Sequence, residues 1–170
     1  MKSEARITAQ GAYVPSKTLT NDDLEDIVDT NDEWIVTRTG IKERRISERS
    51  EQTSDLAYKA VIDLQNKYGK DIKDVDFIIV CTLTPDFKTP SVSSYLQYKL
   101  GIENAGAIDI NAACAGFTYG LYLANSLITA SINKKILVIG AENLSKITDY
   151  TDRSTCILFG DGAGAFLIEK

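Results

Sequence analysis

Two continuous apolar segments, residues 77–82 and 135–140, constrain the fold of this chain most strongly. Neither segment alternates polar with apolar side chains, so both are predicted to be strands that are buried on both faces. Strands of this kind are typical of parallel sheets that carry helices on each side. Helical segments separate the predicted strands along the chain, which indicates βαβ units with right-handed crossovers. The pattern therefore predicts a layered α/β fold.

Capping residues and glycines delimit the other predicted elements. Three more strands complete a mixed, mostly parallel sheet of five, at residues 7–14, 107–110 and 163–169. Helices are predicted at residues 20–28, 30–40, 55–68, 91–100 and 115–132, and a polar loop at residues 143–154. Thr20 and Thr30 begin capping-box patterns, Ser91 caps the fourth helix, and Gly69 and Gly101 end helices.

The composition narrows the functional classes. Lysine and arginine number 19 against 24 aspartates and glutamates, which gives a net charge of −5, and the sequence contains no histidine. It has no large basic cluster and no apolar run of about 20 residues, so we expect a cytoplasmic protein with neither a nucleic acid nor a membrane partner. Three widely spaced cysteines argue against a disulfide framework, and without histidine or a CxxC pair we expect no zinc site.

Cys114 lies where a predicted strand meets the start of a predicted helix. The N-terminus of a helix carries unpaired N–H groups and a positive partial charge, which favour the thiolate, the nucleophilic form of cysteine. Small residues around it, among them Gly116, leave room for a substrate. The alternative is that Cys114 is a small buried apolar side chain, as most free cysteines are. Cys81 and Cys156 lie in apolar runs, and we expect both to be structural.

Three parts of the chain resemble signature motifs of β-ketoacyl-acyl-carrier-protein synthase III, a family of the thiolase superfamily. They are the nucleophile segment 109–120, the earlier segment 30–41, and the later segments 149–153 and 159–165. The resemblance covers essentially all 170 residues, but only about the first half of such an enzyme. It implies the N-terminal half of a thiolase-like fold, formed by residues 1–170 as one domain that carries the nucleophilic cysteine, with the C-terminal half absent from this chain.

The resemblance also implies a coenzyme A site. In the family, a tryptophan at the position of Trp34 stacks on adenine and an arginine at the position of Arg153 covers the other face of the base. An indole and a planar guanidinium form a suitable slot for a flat base. Arg38 matches a position near the coenzyme phosphates, and Thr30 matches a nearby polar contact. Without the resemblance, Trp34 is interpreted as a half-buried packing residue and the two arginines as solvated surface charges.

Two further residues match family positions near the acyl group. The glycine-rich segment 159–165 does not fit the dinucleotide fingerprint, because a predicted strand follows it instead of a helix. In the family its phenylalanine, here Phe159, lies near the nucleophile. Thr89 precedes Pro90 in a loop that reaches across a homodimer to the acyl pocket of the other copy. Family members commonly carry phenylalanine there, so Thr89 implies a roomier pocket and larger or branched primers.

The implied reaction has two stages. The Cys114 thiolate attacks the thioester of an acyl-CoA primer, and malonyl-acyl-carrier protein is then decarboxylated and condensed with the cysteine thioester to initiate fatty acid synthesis. No cofactor is implied, and the partners are acyl-CoA, malonyl-acyl-carrier protein and a second copy of the chain. The decarboxylation step of the family uses a histidine and an asparagine of the second half. We therefore expect the 170-residue chain alone to be inactive in condensation.

Two other hypotheses remain open from the sequence. One is a related thiolase-fold acyltransferase, such as a polyketide starter enzyme or a protein like hydroxymethylglutaryl-CoA synthase. The motif with Trp34 and Arg38 favours synthase III over these. The other is a non-catalytic module for coenzyme A binding or subunit association. The deeply apolar segment 135–140 disfavours this hypothesis, because a face of the sheet would otherwise lack its partner layer.

Overall fold

The computed structural model describes residues 2–170, which form seven strands and six helices. In chain order they are β1 (Arg6–Tyr13), β2 (Lys17–Thr20), α1 (Asn21–Glu25), α2 (Asp32–Thr39), β3 (Glu43–Ile46), α3 (Thr53–Tyr68), β4 (Phe77–Cys81), α4 (Val92–Leu100), β5 (Gly106–Ile110), α5 (Gly116–Thr129), β6 (Lys135–Asn143), α6 (Arg153–Cys156) and β7 (Asp161–Glu169). Within residues 2–170, no helix is both long and apolar enough to cross a membrane.

Four of the five strands of the main sheet run in the same direction. The strand order is β1-β7-β6-β4-β5, and β4 pairs parallel with both β5 and β6. β7 pairs antiparallel with β6 and with β1, so β1 has the same direction as β4, β5 and β6. This arrangement confirms the predicted mixed, mostly parallel sheet. β2 and β3 form a separate antiparallel pair that the sequence did not predict, because β3 reads as a charged segment.

Successive residues of the central strands alternate between two apolar cores. Ile78 and Val80 of β4 pack with α3 and α4 on one face of the sheet, whereas Ile79 and Cys81 pack with α5 on the other. β6 alternates in the same way, and its residues 136–139 are all buried. Side chains of a strand point to opposite faces in turn. A strand between two helical layers therefore needs apolar residues at every position, as predicted.

A third apolar core lies apart from these two. It is formed by Leu24 of α1, Ile35 of α2, and Cys156 and Ile157 at the end of α6. Trp34 is half-buried against it. The segment from β2 to β3 together with α6 therefore forms a small subdomain with its own core, beside the main sheet.

The predicted ends of α3 and α4 are confirmed by their C-caps. Gly69 and Gly101 adopt left-handed φ values of 60° and 63°. In this region a Cβ is unfavourable, which is why glycine ends helices so often. Ser91 caps α4 and accepts a hydrogen bond from the N–H of Ser94.

Several predicted boundaries are wrong, most of them by one or two residues, as for β1, α3 and β7. α1 ends at Glu25 instead of residue 28, in an acidic stretch with no basic residue to interact with the negative end of the helix dipole. α2 is capped by Asn31 instead of Thr30. α5 ends at Thr129 instead of residue 132, because the chain turns left-handed at Ser131.

A further error concerns the polar loop predicted at residues 143–154. β6 extends to Asn143, because residues 141–143 pair with β7 despite their polar character. The helix α6 also begins within that segment, at Arg153, after the N-cap residue Asp152.

Candidate active site

The carboxyl ends of β4, β5 and β6 meet at one edge of the main sheet. β7 begins at the same edge, because it runs antiparallel to β6. Ligands of open α/β sheets bind outside such an edge. Cys114 follows β5, the β4–α4 loop (residues 82–91) carries Thr89, and Phe159 precedes β7. The topology thus brings these three predicted site residues to one edge, which we call the Cys114 edge.

Cys114 occupies a tight turn between β5 and α5. Ala113 has a φ of 44°, in the left-handed region. Residues other than glycine rarely adopt this region, and those that do are often found at functional sites. A single 3₁₀ turn, Ala113–Ala115, then leads into α5. Cys114 is exposed, which contradicts the alternative that it is a small buried apolar side chain. The turn leaves Cys114 accessible at the N-terminal end of a helix.

The other two cysteines are buried, as expected for structural residues. Burial raises the pKa of the Cys81 thiol to about 11, although the Gly120 N–H lowers it in part. Burial also raises the pKa of Cys156. Both side chains therefore remain protonated near neutral pH, and the nucleophilic thiolate is disfavoured at each.

A cavity of about 260 Å³ opens beside Cys114. Small residues form much of its wall, so that backbone lies close to the sulfur. The lining consists of Cys81, Ala113, Phe117, residues 140–142 and residues 162–164.

Phe159 and Thr89 lie outside this lining. Phe159 is 39% exposed, and only residues 160 and 161 separate it from the glycine-rich wall. Thr89 is exposed near the end of the β4–α4 loop. Within residues 2–170, neither side chain borders the cavity beside Cys114, so the structure brings both to the Cys114 edge without placing them against the nucleophile.

Glu142, a residue that sequence reasoning missed, holds the start of the β4–α4 loop. Its carboxylate accepts hydrogen bonds from the Leu83 N–H and the Thr84 hydroxyl, both at 2.8 Å. The backbone N–H of Asn143 donates to the same hydroxyl at 2.8 Å. Burial raises the pKa of Glu142, although these hydrogen bonds lower it in part. Glu142 also lines the cavity of Cys114, so one side chain connects the loop with the nucleophile.

Asp109 holds the other end of the same loop. Its two carboxylate oxygens accept the N–H groups of Val92 and Ser93, at 2.8 and 2.9 Å. These are the first two residues of α4, where N–H groups lack partners within the helix. A signal was present in the sequence, because Asp109 is an acidic residue within an apolar strand. The β4–α4 loop is thus held by the two strands that flank β4.

Trp34 lies between two arginines in a separate part of the molecule. The guanidinium carbons of Arg38 and Arg153 are each 4.3 Å from the centroid of the Trp34 ring. Cations within about 6 Å of an aromatic face are attracted by its π electrons. Both arginines are exposed, and Trp34 is half-buried. We call this group of three side chains the Trp34 slot.

Thr30 lies beside the start of α2 and has an unpaired hydroxyl. Its Oγ1 atom is buried and has no hydrogen-bond partner among residues 2–170. A buried hydroxyl without a partner carries a desolvation cost, so such an atom in a native protein requires an explanation. A polar group of a ligand would satisfy it. Residues 2–170 offer no metal site, since no group of three or more His, Cys, Asp or Glu side chains among them is placed to hold an ion.

The strand order, the two helical layers and a cysteine on the turn after β5 define the class of the protein as one half of a thiolase-like fold. A family model for 3-oxoacyl-[acyl-carrier-protein] synthase III matches residues 108–170. The β-ketoacyl-[acyl-carrier-protein] synthase III 2 of Staphylococcus epidermidis is 72% identical over 169 residues, which are 99% of this chain and 52% of that protein.

Solved structures agree with the sequence comparison. The 3-oxoacyl-[acyl-carrier-protein] synthase III of Aquifex aeolicus superposes with a TM-score of 0.94 at 47% identity, over 98% of this chain and 54% of that one. A priming β-ketosynthase from a polyketide biosynthetic pathway superposes with a TM-score of 0.93 at 35% identity, over 97% of this chain and 49% of that one. The chain is therefore similar over nearly its whole length to about half of a β-ketoacyl-[acyl-carrier-protein] synthase III, consistent with the N-terminal half of such proteins. It spans about half the length of the curated relatives it matches.

Proposed function

We propose that this chain is the nucleophile-bearing domain of a β-ketoacyl-[acyl-carrier-protein] synthase III, an acyltransferase that starts fatty acid synthesis in the cytoplasm. The observation that carries the proposal is the exposed Cys114 on a left-handed turn at the N-terminus of α5. A free cysteine that only fills space is buried, as Cys81 and Cys156 are. Cys114 is instead accessible, next to a helix end that favours a thiolate.

The proposed reaction begins with the Cys114 sulfur. The thiolate attacks the carbonyl carbon of an acyl-CoA thioester, the carbon–sulfur bond to the coenzyme breaks, and the coenzyme leaves as a thiol after taking up a proton. The acyl group is then held as a thioester on Cys114. Malonyl-acyl-carrier protein loses carbon dioxide, and its carbanion attacks that thioester to form a β-ketoacyl product and release the Cys114 thiolate. The covalent intermediate divides one difficult step into two easier ones.

The Trp34 slot is the proposed binding site for the adenine of the coenzyme. Both guanidinium groups lie directly on the indole ring, so a flat base would stack on the ring after one of them moves aside, and Arg38 carries a positive charge suited to the coenzyme phosphates. The unpaired hydroxyl of Thr30 is available to a polar group of the same ligand. These contacts exist equally before and during the reaction, so the slot contributes to binding and not to the chemical step.

A second domain is proposed to pack against α5 and to supply the groups for decarboxylation. α5 covers one face of the sheet, yet Tyr119 and Tyr122 on its other side are 51% and 65% exposed. A partner layer on that side would bury them. The sequence contains no histidine, and we propose that the histidine and asparagine of the decarboxylation step belong to that second domain. The complete enzyme is proposed to be a homodimer, with Thr89 of the exposed β4–α4 loop near the acyl pocket of the other copy.

Mapping of the acyl group tests the proposal directly. The full-length protein is incubated with acetyl-CoA, digested at low pH and analysed by peptide mass. The expected result is a thioester on the peptide with Cys114 and unmodified Cys81 and Cys156. The Cys114→Ala variant is the matched control and should carry no acyl group. Acylation of Cys156, or no acylation of wild-type protein, would overturn the assignment.

A polyketide priming enzyme is the second candidate function, favoured by the 35% identity to a priming β-ketosynthase. The two candidates differ in the acyl primer and in the carrier protein that accepts the product. Competition between the carrier proteins of fatty acid synthesis and of a polyketide pathway separates them. The 72% identity to a synthase III predicts a preference for the former.

A further inference from the structure

Arg44 of β3 is buried inside the small subdomain. Its residue surface is 3% exposed, and within residues 2–170 it forms no salt bridge with a carboxylate. A guanidinium without an ionic partner is costly to bury unless hydrogen bonds satisfy its N–H groups. The direction of those hydrogen bonds therefore indicates what the side chain holds.

One arm of Arg44 holds the end of α6. Nε and Nη2 both donate to the carbonyl oxygen of Ile157, and the Nε bond is 2.8 Å long. Ile157 is the C-cap residue of α6, a helix of four residues that begins at Arg153. So short a helix has little stability of its own, and the carbonyl groups at its end lack partners within it. The cation of Arg44 satisfies this end and interacts favourably with the helix dipole.

The remaining guanidinium nitrogen of Arg44, Nη1, is connected to both ends of α2 through the side chain of Asn21. Nη1 of Arg44 donates to Oδ1 of Asn21 at 2.5 Å. Nδ2 of Asn21 donates to Oδ1 of Asp32 at 2.7 Å and to the carbonyl oxygen of Ile41 at 2.8 Å. Asp32 is the first residue of α2, and Ile41 follows its C-cap, Gly40. Asn21 is 1% exposed, so these hydrogen bonds are shielded from water.

The backbone of β3 is itself fixed against the segment after α6. A Cβ on Gly160 would lie 2.9 Å from the carbonyl oxygen of Arg45 and 3.2 Å from the Cβ of Arg44. Only glycine allows this approach without a shift of the strand. β3 therefore packs tightly against the segment after α6, and Arg44 connects the end of α6 with α2.

We propose that Arg44, Asn21 and Asp32, together called the Arg44 network, are positioning residues for the Trp34 slot. Trp34 lies on α2 and Arg153 lies on α6, and the network joins the ends of these two short helices. This inference rests on the proposed function, because the placement of the two helices affects the reaction only if the slot binds the nucleotide of acyl-CoA. None of the three residues belongs to the slot; they act by holding α2 and α6, and with them Trp34 and Arg153, next to each other.

Asp32 offers the sharpest test, because it is exposed and its replacement leaves the buried residues in place. In Asp32→Ala, the Asn21 amide loses one acceptor and α2 loses one contact to the network. Asp32→Asn keeps an acceptor oxygen at the same position but lacks the charge. Glu33→Ala is the matched control, since it removes an acidic side chain from the same first turn of α2 without a bond to Asn21.

The variants are made in the full-length protein and assayed with two acyl donors. Acetyl-CoA carries the nucleotide, whereas the acetyl thioester of N-acetylcysteamine lacks it. For Asp32→Ala we expect the KM for acetyl-CoA to rise about three- to tenfold, the cost of one hydrogen bond. We expect no change in kcat, and no change in kcat/KM with the short thioester. Asp32→Asn should restore most of the KM, and Glu33→Ala should resemble wild type.

A second variant, Arg44→Lys, keeps the charge but cannot donate two hydrogen bonds to one carbonyl group. Its KM for acetyl-CoA should rise more than tenfold, with thermal unfolding as the check on folding and the short thioester as the internal control. An equal loss of kcat/KM with both acyl donors would overturn this inference and leave the proposed function standing. The same holds if the KM of Asp32→Asn is no lower than that of Asp32→Ala. A wild-type enzyme that uses both donors with the same kcat/KM would overturn the nucleotide slot, and the inference with it.

Discussion

The Cys114 edge and the Trp34 slot are held in place by different kinds of structure. Cys114 follows a strand of a five-stranded sheet with an apolar core on each face, and carboxylates of β5 and β6 hold the neighbouring loop. The Trp34 slot lies on helices of eight and four residues, beside a third core of few residues. A nucleophile must be held precisely for the chemical step, whereas a slot for the remote end of a substrate needs only the right width.

This contrast predicts that changes at the Cys114 edge alter kcat or stability, whereas changes at the Trp34 slot alter KM.

Replacement of the nucleophile should have the largest effect. We expect Cys114→Ala to lower kcat for condensation by at least about 10³-fold, because the covalent intermediate cannot form. Cys114 is exposed, so the midpoint of thermal unfolding should stay the same. Steady-state assays and calorimetry on the full-length protein measure both quantities. Condensation near the wild-type rate would show that Cys114 is not the acylated residue.

Overpacking next to the nucleophile should destabilise the protein. A Cβ on Gly120 of α5 would lie 2.7 Å from the sulfur of Cys81 and 3.1 Å from Val138. We expect Gly120→Ala to lower the free energy of unfolding by about 1–3 kcal/mol, as overpacked cores do. Cys81→Ala should recover part of this loss in the double variant, because the two side chains are in contact.

The matched control for Gly120→Ala is Gly164→Ala in β7. A Cβ there would lie 3.9 Å from the nearest atom, the carbonyl oxygen of Gly11, which is ordinary van der Waals contact. Urea unfolding of the wild type, the two single glycine variants and the double variant should separate the effect of crowding from the effect of an added methyl group. Equal stabilities for Gly120→Ala and Gly164→Ala would contradict the tight packing between α5 and β4.

The β4–α4 loop, which the carboxylates of Glu142 and Asp109 hold at its two ends, should control the choice of primer. Thr89→Phe places a bulky ring on the exposed end of the β4–α4 loop, which is proposed to border the acyl pocket of the other copy. One methylene group in an apolar pocket is worth about 1–3 kcal/mol. We therefore expect the ratio of kcat/KM for acetyl-CoA to that for a branched acyl-CoA to rise at least tenfold. Lys88→Ala, a change at the neighbouring exposed residue, should leave the ratio unchanged.

Changes in the slot should affect binding alone. Trp34→Ala and Arg153→Ala each remove one side of the proposed adenine site, a contact of about 1 kcal/mol by stacking or cation–π attraction. We expect the KM for acyl-CoA to rise about five- to tenfold, with kcat nearly unchanged. Initial rates over a range of acyl-CoA concentrations measure both constants. A large fall in kcat at constant KM would mean that these residues serve the chemical step.

The smallest expected effect is a pH dependence at Glu142. Burial raises the pKa of this carboxyl in the folded protein above its ordinary value, so folding favours the protonated form. This contribution to stability is present below the ordinary pKa and is lost as the pH rises through the raised value. Relative to Glu142→Gln, the wild-type protein should therefore lose stability as the pH increases through that range. Urea unfolding of both proteins over a pH series measures the difference, and a constant difference would contradict the raised pKa.

The sequence alone determined the elements that depend on nearby residues. The apolar runs of β4 and β6 predicted strands buried on both faces, and left-handed Gly69 and Gly101 end their helices as predicted. The position of Cys114 between a strand and a helix was also readable, since it depends only on the residues on either side. Local hydrogen bonding and side-chain periodicity decide such features, and both leave a pattern within a few residues.

Only the tertiary structure decided which distant segments meet. Three contacts join residues that no local pattern relates: the pairing of β2 with β3, the hydrogen bonds that Asp109 accepts from α4, and the convergence of Trp34 and Arg153. Arg44 reads in the sequence as one of several surface charges, yet the fold buries it between α2 and α6. These contacts depend on the order of the strands and on the side of the sheet to which each connection returns. That order is set by the simultaneous packing of three cores, so no single segment of the sequence contains it.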